Sequence, residues 1–147
     1  MTFTASLDKG AIKATSGGWA RDITTKGLPI ATDIAGAHLY LNPGGVREMH
    51  GHNSAEWAYI LVGHCQVTVV DPEGVTEVAN YTPGDLWYFP RGHAHAIQTL
   101  GSEACHAVLA KGCPHQQALA GSIRVCSTPD SRHAAGGPAE LRSVANC

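Results

Sequence analysis

With 147 residues, ten basic and twelve acidic side chains and a formal net charge of -2, the chain is sized for one domain and carries no basic stripe or patch. Nucleic acid and anionic membranes are poor partners for such a surface. No apolar run approaches membrane-spanning length, and Met1 to Lys9 lack the basic start and apolar stretch of an export signal, so a soluble, cytoplasmic protein is expected.

Residues 1–16 read as an amino-terminal extension. From Gly17 to about Leu109 the sequence breaks into short strands cut by turn residues, with no helical period. Ala37-His38-Leu39-Tyr40-Leu41 stops at Asn42-Pro43-Gly44-Gly45, and Glu56 to Val62 stops at Gly63. Gln66 to Val70 is followed by Asp71-Pro72-Glu73-Gly74, a hairpin signal, and then by Val75 to Val78. Leu86 to Phe89, His95 to Leu100 and Ala104 to Ala110 complete the series. Many short strands at close spacing predict an all-β sandwich or barrel over residues 17–110. Trp57, Tyr59, Trp87, Tyr88 and Phe89 are expected to supply its core.

Beyond residue 110 alanine, glycine, serine and proline dominate, and no aromatic residue follows Phe89. Residues 111–147 read as a divergent carboxyl-terminal segment, with a short helix over Gln116 to Val125 and a mobile tail from Thr128. The five cysteines are odd in number and form no C-x-x-C pair, so they read as reduced thiols.

Nine histidines are an excess, and only some have a pattern. His50-Gly51-His52 places two imidazoles on one face of a strand, because successive strand residues face opposite ways. Glu56 lies beyond the turn-prone Asn53-Ser54-Ala55, which can return its carboxylate to the same point. His95 follows Pro90-Arg91-Gly92, a turn that can aim it inward from a separate hairpin. Three imidazoles and one carboxylate, without thiolate, suit manganese, iron, nickel, copper or zinc, and in a six-coordinate sphere leave two positions open. His93 shares strand parity with His95 but reads as a turn residue, and His38, His64, His106 and His133 read as structural or exposed.

Gly44-x5-His50-x-His52-x3-Glu56-x6-Gly63 and Gly84-x5-Pro90-x-Gly92-x2-His95 resemble the two motifs of the cupin superfamily, with Thr99 where many cupins carry asparagine. The resemblance implies a jelly-roll β-barrel with the metal inside. Gly17-Gly18-Trp19-Ala20-Arg21, Leu28-Pro29-Ile30, Pro43-Gly44-Gly45-Val46-Arg47-Glu48, Ala55-Glu56-Trp57-Ala58-Tyr59 and Gly84 to Pro90 look like the amino-terminal cupin of oxalate decarboxylases, over about residues 17–100.

That closer resemblance implies a manganese cofactor at His50, His52, Glu56 and His95. It also implies a small carboxylate substrate gripped by Arg47, whose permanently charged fork suits a carboxylate. The implied reaction is cleavage of oxalate to carbon dioxide and formate. Three departures weigh against it. No carboxylate occurs between Glu103 and Asp130, where the family's lid glutamate is expected; Gly51 replaces the tryptophan usual between the two histidines; and the chain ends before a second cupin is complete. Alternatives are oxidation of oxalate to carbon dioxide and peroxide, or a non-catalytic cupin that binds metal and a small acid. A homo-oligomer is expected, since pairing would cover exposed sheet edges and apolar faces.

Overall fold

The computed structural model describes residues 2–112 and the backbone of residues 123–125. After a 3-10 turn at Leu7–Lys9, eleven strands follow: β1 Ala11–Thr15, β2 Gly18–Ile23, β3 Ile34–Leu41, β4 Gly45–His50, β5 Glu56–Val62, β6 His64–Val70, β7 Thr76–Tyr81, β8 Leu86–Phe89, β9 Ala94–Leu100, β10 Cys105–Gly112 and β11 Ile123–Val125. They form two antiparallel sheets, ordered β1-β2-β3-β10-β5-β8 and β11-β4-β9-β6-β7. The result is the all-β jelly-roll expected from the sequence.

Alternation in the strands explains how the sheets meet. In β3 and β10 every second residue is buried, giving inward rows Ala35, Ala37, Leu39, Leu41 and Cys105, Ala107, Leu109, Lys111. Ala58 and Ile60 of β5 and Trp87 and Phe89 of β8 extend that inner face, while Cys65, Val67 and Ile97 supply the opposing one. Burying such side chains contributes about 1.5–3 kcal/mol each for the larger ones. Cys65 and Cys105 are free thiols in this core and interact with each other; the hydrogen bond with Cys105, then burial, pushes Cys65 up from the ordinary thiol value.

Turns obey their local chemistry. Asp71 Oδ1 accepts from Val75 N at 2.7 Å and Gly74 N donates to Asp71 O at 3.0 Å, closing the β6–β7 hairpin. Gly63, between β5 and β6, has φ +77°, and a Cβ there would stand 2.1 Å from the carbonyl oxygen of Ala104. Both the conformation and the close approach require glycine.

Three expectations are corrected. The aromatic residues divide by strand parity: Trp87 and Phe89 are 2% exposed, but Trp57, Tyr59 and Tyr88 are 52%, 45% and 59% exposed and lie on the outer face of the six-stranded sheet. Residues 1–16 are not merely an extension, because β1 pairs with β2 along its whole length, from Ala11 opposite Asp22 to Thr15 opposite Gly18. At the other end β10 runs to Gly112, and Ile123–Val125 pair with Gly45–Arg47 of β4 as a strand instead of ending a helix. The rest of the predicted helix and the tail lie outside the described residues.

Candidate metal centre

The site is assembled at one end of the barrel from both sheets. His50 ends β4 and lies opposite His95 of β9 in the five-stranded sheet; Glu56 opens β5 in the six-stranded sheet; His52 sits in the connection between them. One hydrogen bond ties that connection to the other motif, Gly92 N donating to His52 O at 3.0 Å. The proline-glycine turn before His95 thus also positions the chain that carries His52.

A bulge places Arg47. Arg47 pairs with Ile97 and His50 with His95, so β4 uses one more residue than β9 over that interval. Without the extra residue, positions three apart on a strand would face opposite sides. With it, Arg47 and His50 both point inward, 5% and 6% exposed, while Met49 is turned out to 38%.

The three imidazoles form a group whose ligating atoms all lie within 4.8 Å of one another. Ring centroids are 4.4 Å apart for His50 and His95, 5.1 Å for His50 and His52, and 5.3 Å for His52 and His95. Glu56 faces two of them: Oε2 is 3.2 Å from His52 Nε2, and Oε1 is 3.8 Å from His95 Nε2. His52 Nε2, His95 Nε2 and both Glu56 oxygens are buried with no hydrogen-bond partner among the described residues. Converging orphaned lone pairs are costly in an empty protein interior and are accounted for by a cation.

The opposite ring nitrogens fix the tautomers. His50 Nδ1 donates to Glu48 O at 2.6 Å and His95 Nδ1 to His93 O at 3.2 Å, since a carbonyl can only accept. Each Nε2 is thereby left with a lone pair for an ion. Phe89 stacks on the His95 ring at 3.9 Å and holds its plane.

Burial, followed by the nearby Arg47 charge and the other imidazoles, pulls His50 down to about 2 despite its bond to Glu48. Burial likewise takes His95 down to about 4, against the raising effect of Glu56. Burial would raise Glu56, but His52, His95 and Lys111 outweigh it and hold the carboxyl below its ordinary value. Neutral imidazoles beside an ionised carboxylate are the protonation states that a divalent metal requires.

Arg47, His50 and Glu56 line a small cavity with Ala20, Ala37, Leu39, Ile97 and Leu109. Burial lowers Arg47 from its ordinary value, countered by Glu56 and Glu48, and the group has ample range to remain charged. An arginine 5% exposed is not the surface salt-bridge residue that its neighbour Glu48 alone would suggest.

His93 is a half-buried turn residue whose backbone carbonyl, not its ring, serves the site through His95. His38, which also lines that cavity, and His106 belong to a ring cluster with Trp19 and Tyr40 on β2, β3 and β10, and Arg21 lies over Trp19. The sequence reading missed Lys111, which is 8% exposed and lies directly across from Glu56 in the β10–β5 ladder. Its signal was the alternation Cys105, Ala107, Leu109, Lys111, which places it on the inner row.

A family model described as Cupin matches residues 5–126. Oxalate decarboxylase OxdC of Bacillus subtilis (strain 168) is 46% identical over 84 residues, 57% of this chain and 22% of that protein. A probable oxalate decarboxylase of Arthroderma benhamiae is 41% identical over 103 residues, 70% of this chain and 25% of the relative. Among solved structures, the formate complex of Lactobacillus farciminis oxalate decarboxylase superposes with a TM-score of 0.72 at 36% identity, covering 77% of this chain and 33% of that one. The chain therefore spans about a quarter of the length of the curated relatives it matches.

Proposed function

Because the chain belongs to the cupin family, we propose that it is a manganese-binding cupin that acts on oxalate or a similar small carboxylic acid, releasing carbon dioxide and formate. The observation that carries this reading is the convergence of orphaned His52, His95 and Glu56 atoms beside a buried Arg47. His50, His52, Glu56 and His95 would hold the metal, with nitrogen and oxygen donors suited to manganese. When bound, the metal supplies electron withdrawal from a coordinated carboxylate.

The chain's own residues account for the rest of substrate binding. Arg47 meets a carboxylate through a two-point fork, in a cavity whose Leu39, Ile97 and Leu109 walls exclude water and strengthen that contact. The Nδ1 donations to Glu48 O and His93 O keep the His50 and His95 rings oriented while a ligand enters.

Oxidation of oxalate to carbon dioxide and peroxide is a variant of the same reading. A second reading, a non-catalytic binder of metal and small acid, is favoured by one fact: the sequence has no carboxylate between Glu103 and Asp130 to handle the proton. The test is direct. Metal content of the purified protein is measured, and the manganese form is incubated with oxalate while formate and peroxide are followed. Formate supports the first reading and peroxide its variant. Saturable oxalate binding without turnover supports the second, and no binding overturns all three.

The protein is further proposed to be cytoplasmic and to self-associate. Trp57, Tyr59, Leu61, Leu86 and Tyr88 all stand exposed on one sheet, and such a face is more apolar than a solitary domain usually presents. Sedimentation at micromolar concentration giving only monomer would remove the second proposal.

A further inference from the structure

Lys111 is a cation on the inner row of the barrel whose one role so far is to help hold Glu56 ionised. It is 8% exposed, as deeply placed as core side chains and far below the usual exposure of lysine. It occupies the inward row of β10, after Cys105, Ala107 and Leu109, so strand parity sends its stem into the barrel. In the ladders of the six-stranded sheet it lies opposite Glu56 on one side and Ala35 on the other. Cross-strand partners on one face have Cβ atoms about 4.5–5.5 Å apart. Lys111 therefore shares its rung with a candidate metal ligand.

Its charge is not consumed there. Both oxygens of Glu56 face imidazoles, and Asp22 meets Lys13 at 4.0 Å; no hydrogen bond or close ion pair of Lys111 occurs among the described residues. The electrostatic fields of Glu56, Asp22, Arg47 and Lys13 nonetheless all reach it, and Glu56 acts on Arg47 as well. Glu56 and Asp22 act on the ammonium only at longer range, so it keeps N–H donors for a further anion.

We propose that Lys111 is a specificity-determining residue that, with Arg47, grips a small dianion: Arg47 takes one carboxylate and Lys111 the other. The site is thereby matched to dicarboxylates over monocarboxylates. This rests on the function proposed above, and deepens it by assigning the second charge of the substrate to a named side chain. Lys111 binds and selects; no proton transfer is assigned to it.

The test uses the manganese-loaded full chain, titrated calorimetrically with oxalate and with acetate, metal content being measured before and after. Lys111→Met removes the charge and keeps the stem's bulk; Lys111→Gln is a second neutral variant, and Lys111→Arg restores the charge. Both neutral variants should weaken oxalate about tenfold or more, the loss expected for one charge-assisted hydrogen bond, with acetate affinity and metal content nearly unchanged. Lys111→Arg should recover much of the oxalate affinity. Unchanged oxalate affinity, an equal loss for both anions, or loss of metal as the main effect would overturn the inference, the last making Lys111 a partner of Glu56 only. If the wild-type protein binds neither anion, the functional reading fails first and Lys111 falls with it; if the wild type binds oxalate and the variants match it, only the Lys111 assignment fails.

Discussion

His95 is the most deeply buried of the three imidazoles, held by Phe89 on its face and by His93 O at Nδ1. His95→Ala should lower manganese affinity by at least about tenfold, as removal of a ligand or its support commonly does, read by metal analysis after dialysis. Full retention of metal would count against the centre. Arg47→Gln should leave metal content near wild type but weaken oxalate by about tenfold or more, since a charge-assisted fork to the carboxylate is lost. The pH dependence follows from His50 and His95, lowered to about 2 and about 4 from 6.5. Between the folded and unfolded values the unfolded chain binds more protons. Stability of the metal-free protein should therefore fall as pH drops from about 6.5 towards 4, by about 1.4 kcal/mol per unit for each such group, measurable by urea titration. A metal-free protein equally stable at pH 6.5 and pH 4.5 would contradict these shifts.

At the level of elements, the turns and strand ends decide how ligands from two sheets meet. Gly63→Ala should be destabilised by more than about 2 kcal/mol, because it combines a left-handed conformation with a clash against Ala104 O. Ile60, fully buried on the inner face of β5, should cost about 2–5 kcal/mol when replaced by alanine, read from the shift of the denaturant midpoint. Gly63 was visible as a fixed glycine ending a strand, but the 2.1 Å approach behind it was not. The β4 bulge was invisible as well. Arg47 and His50 are three apart, and only the loss of register against β9 turns both inward. Trp57 and Tyr59 were misassigned to the core because composition marks a strand without saying which of its faces is buried.

For the molecule as a whole, metal should act as a folding ligand, because the donors come from both sheets and from the link between them. Manganese at a hundredfold excess over its Kd should add about 2.7 kcal/mol and raise Tm by several degrees, and chelation should reverse the change. No metal-dependent shift in calorimetry would oppose a resident ion. The sequence by itself determined strands β3 and β5 to β10, the family motifs and the four candidate ligands, because alternation, turn residues and donor types are local properties of the chain. Tertiary structure alone decided which donors lack other partners, which aromatic residues face out, and that Lys111 lies across from Glu56. Those depend on register between strands distant in sequence, which a single strand's pattern does not carry.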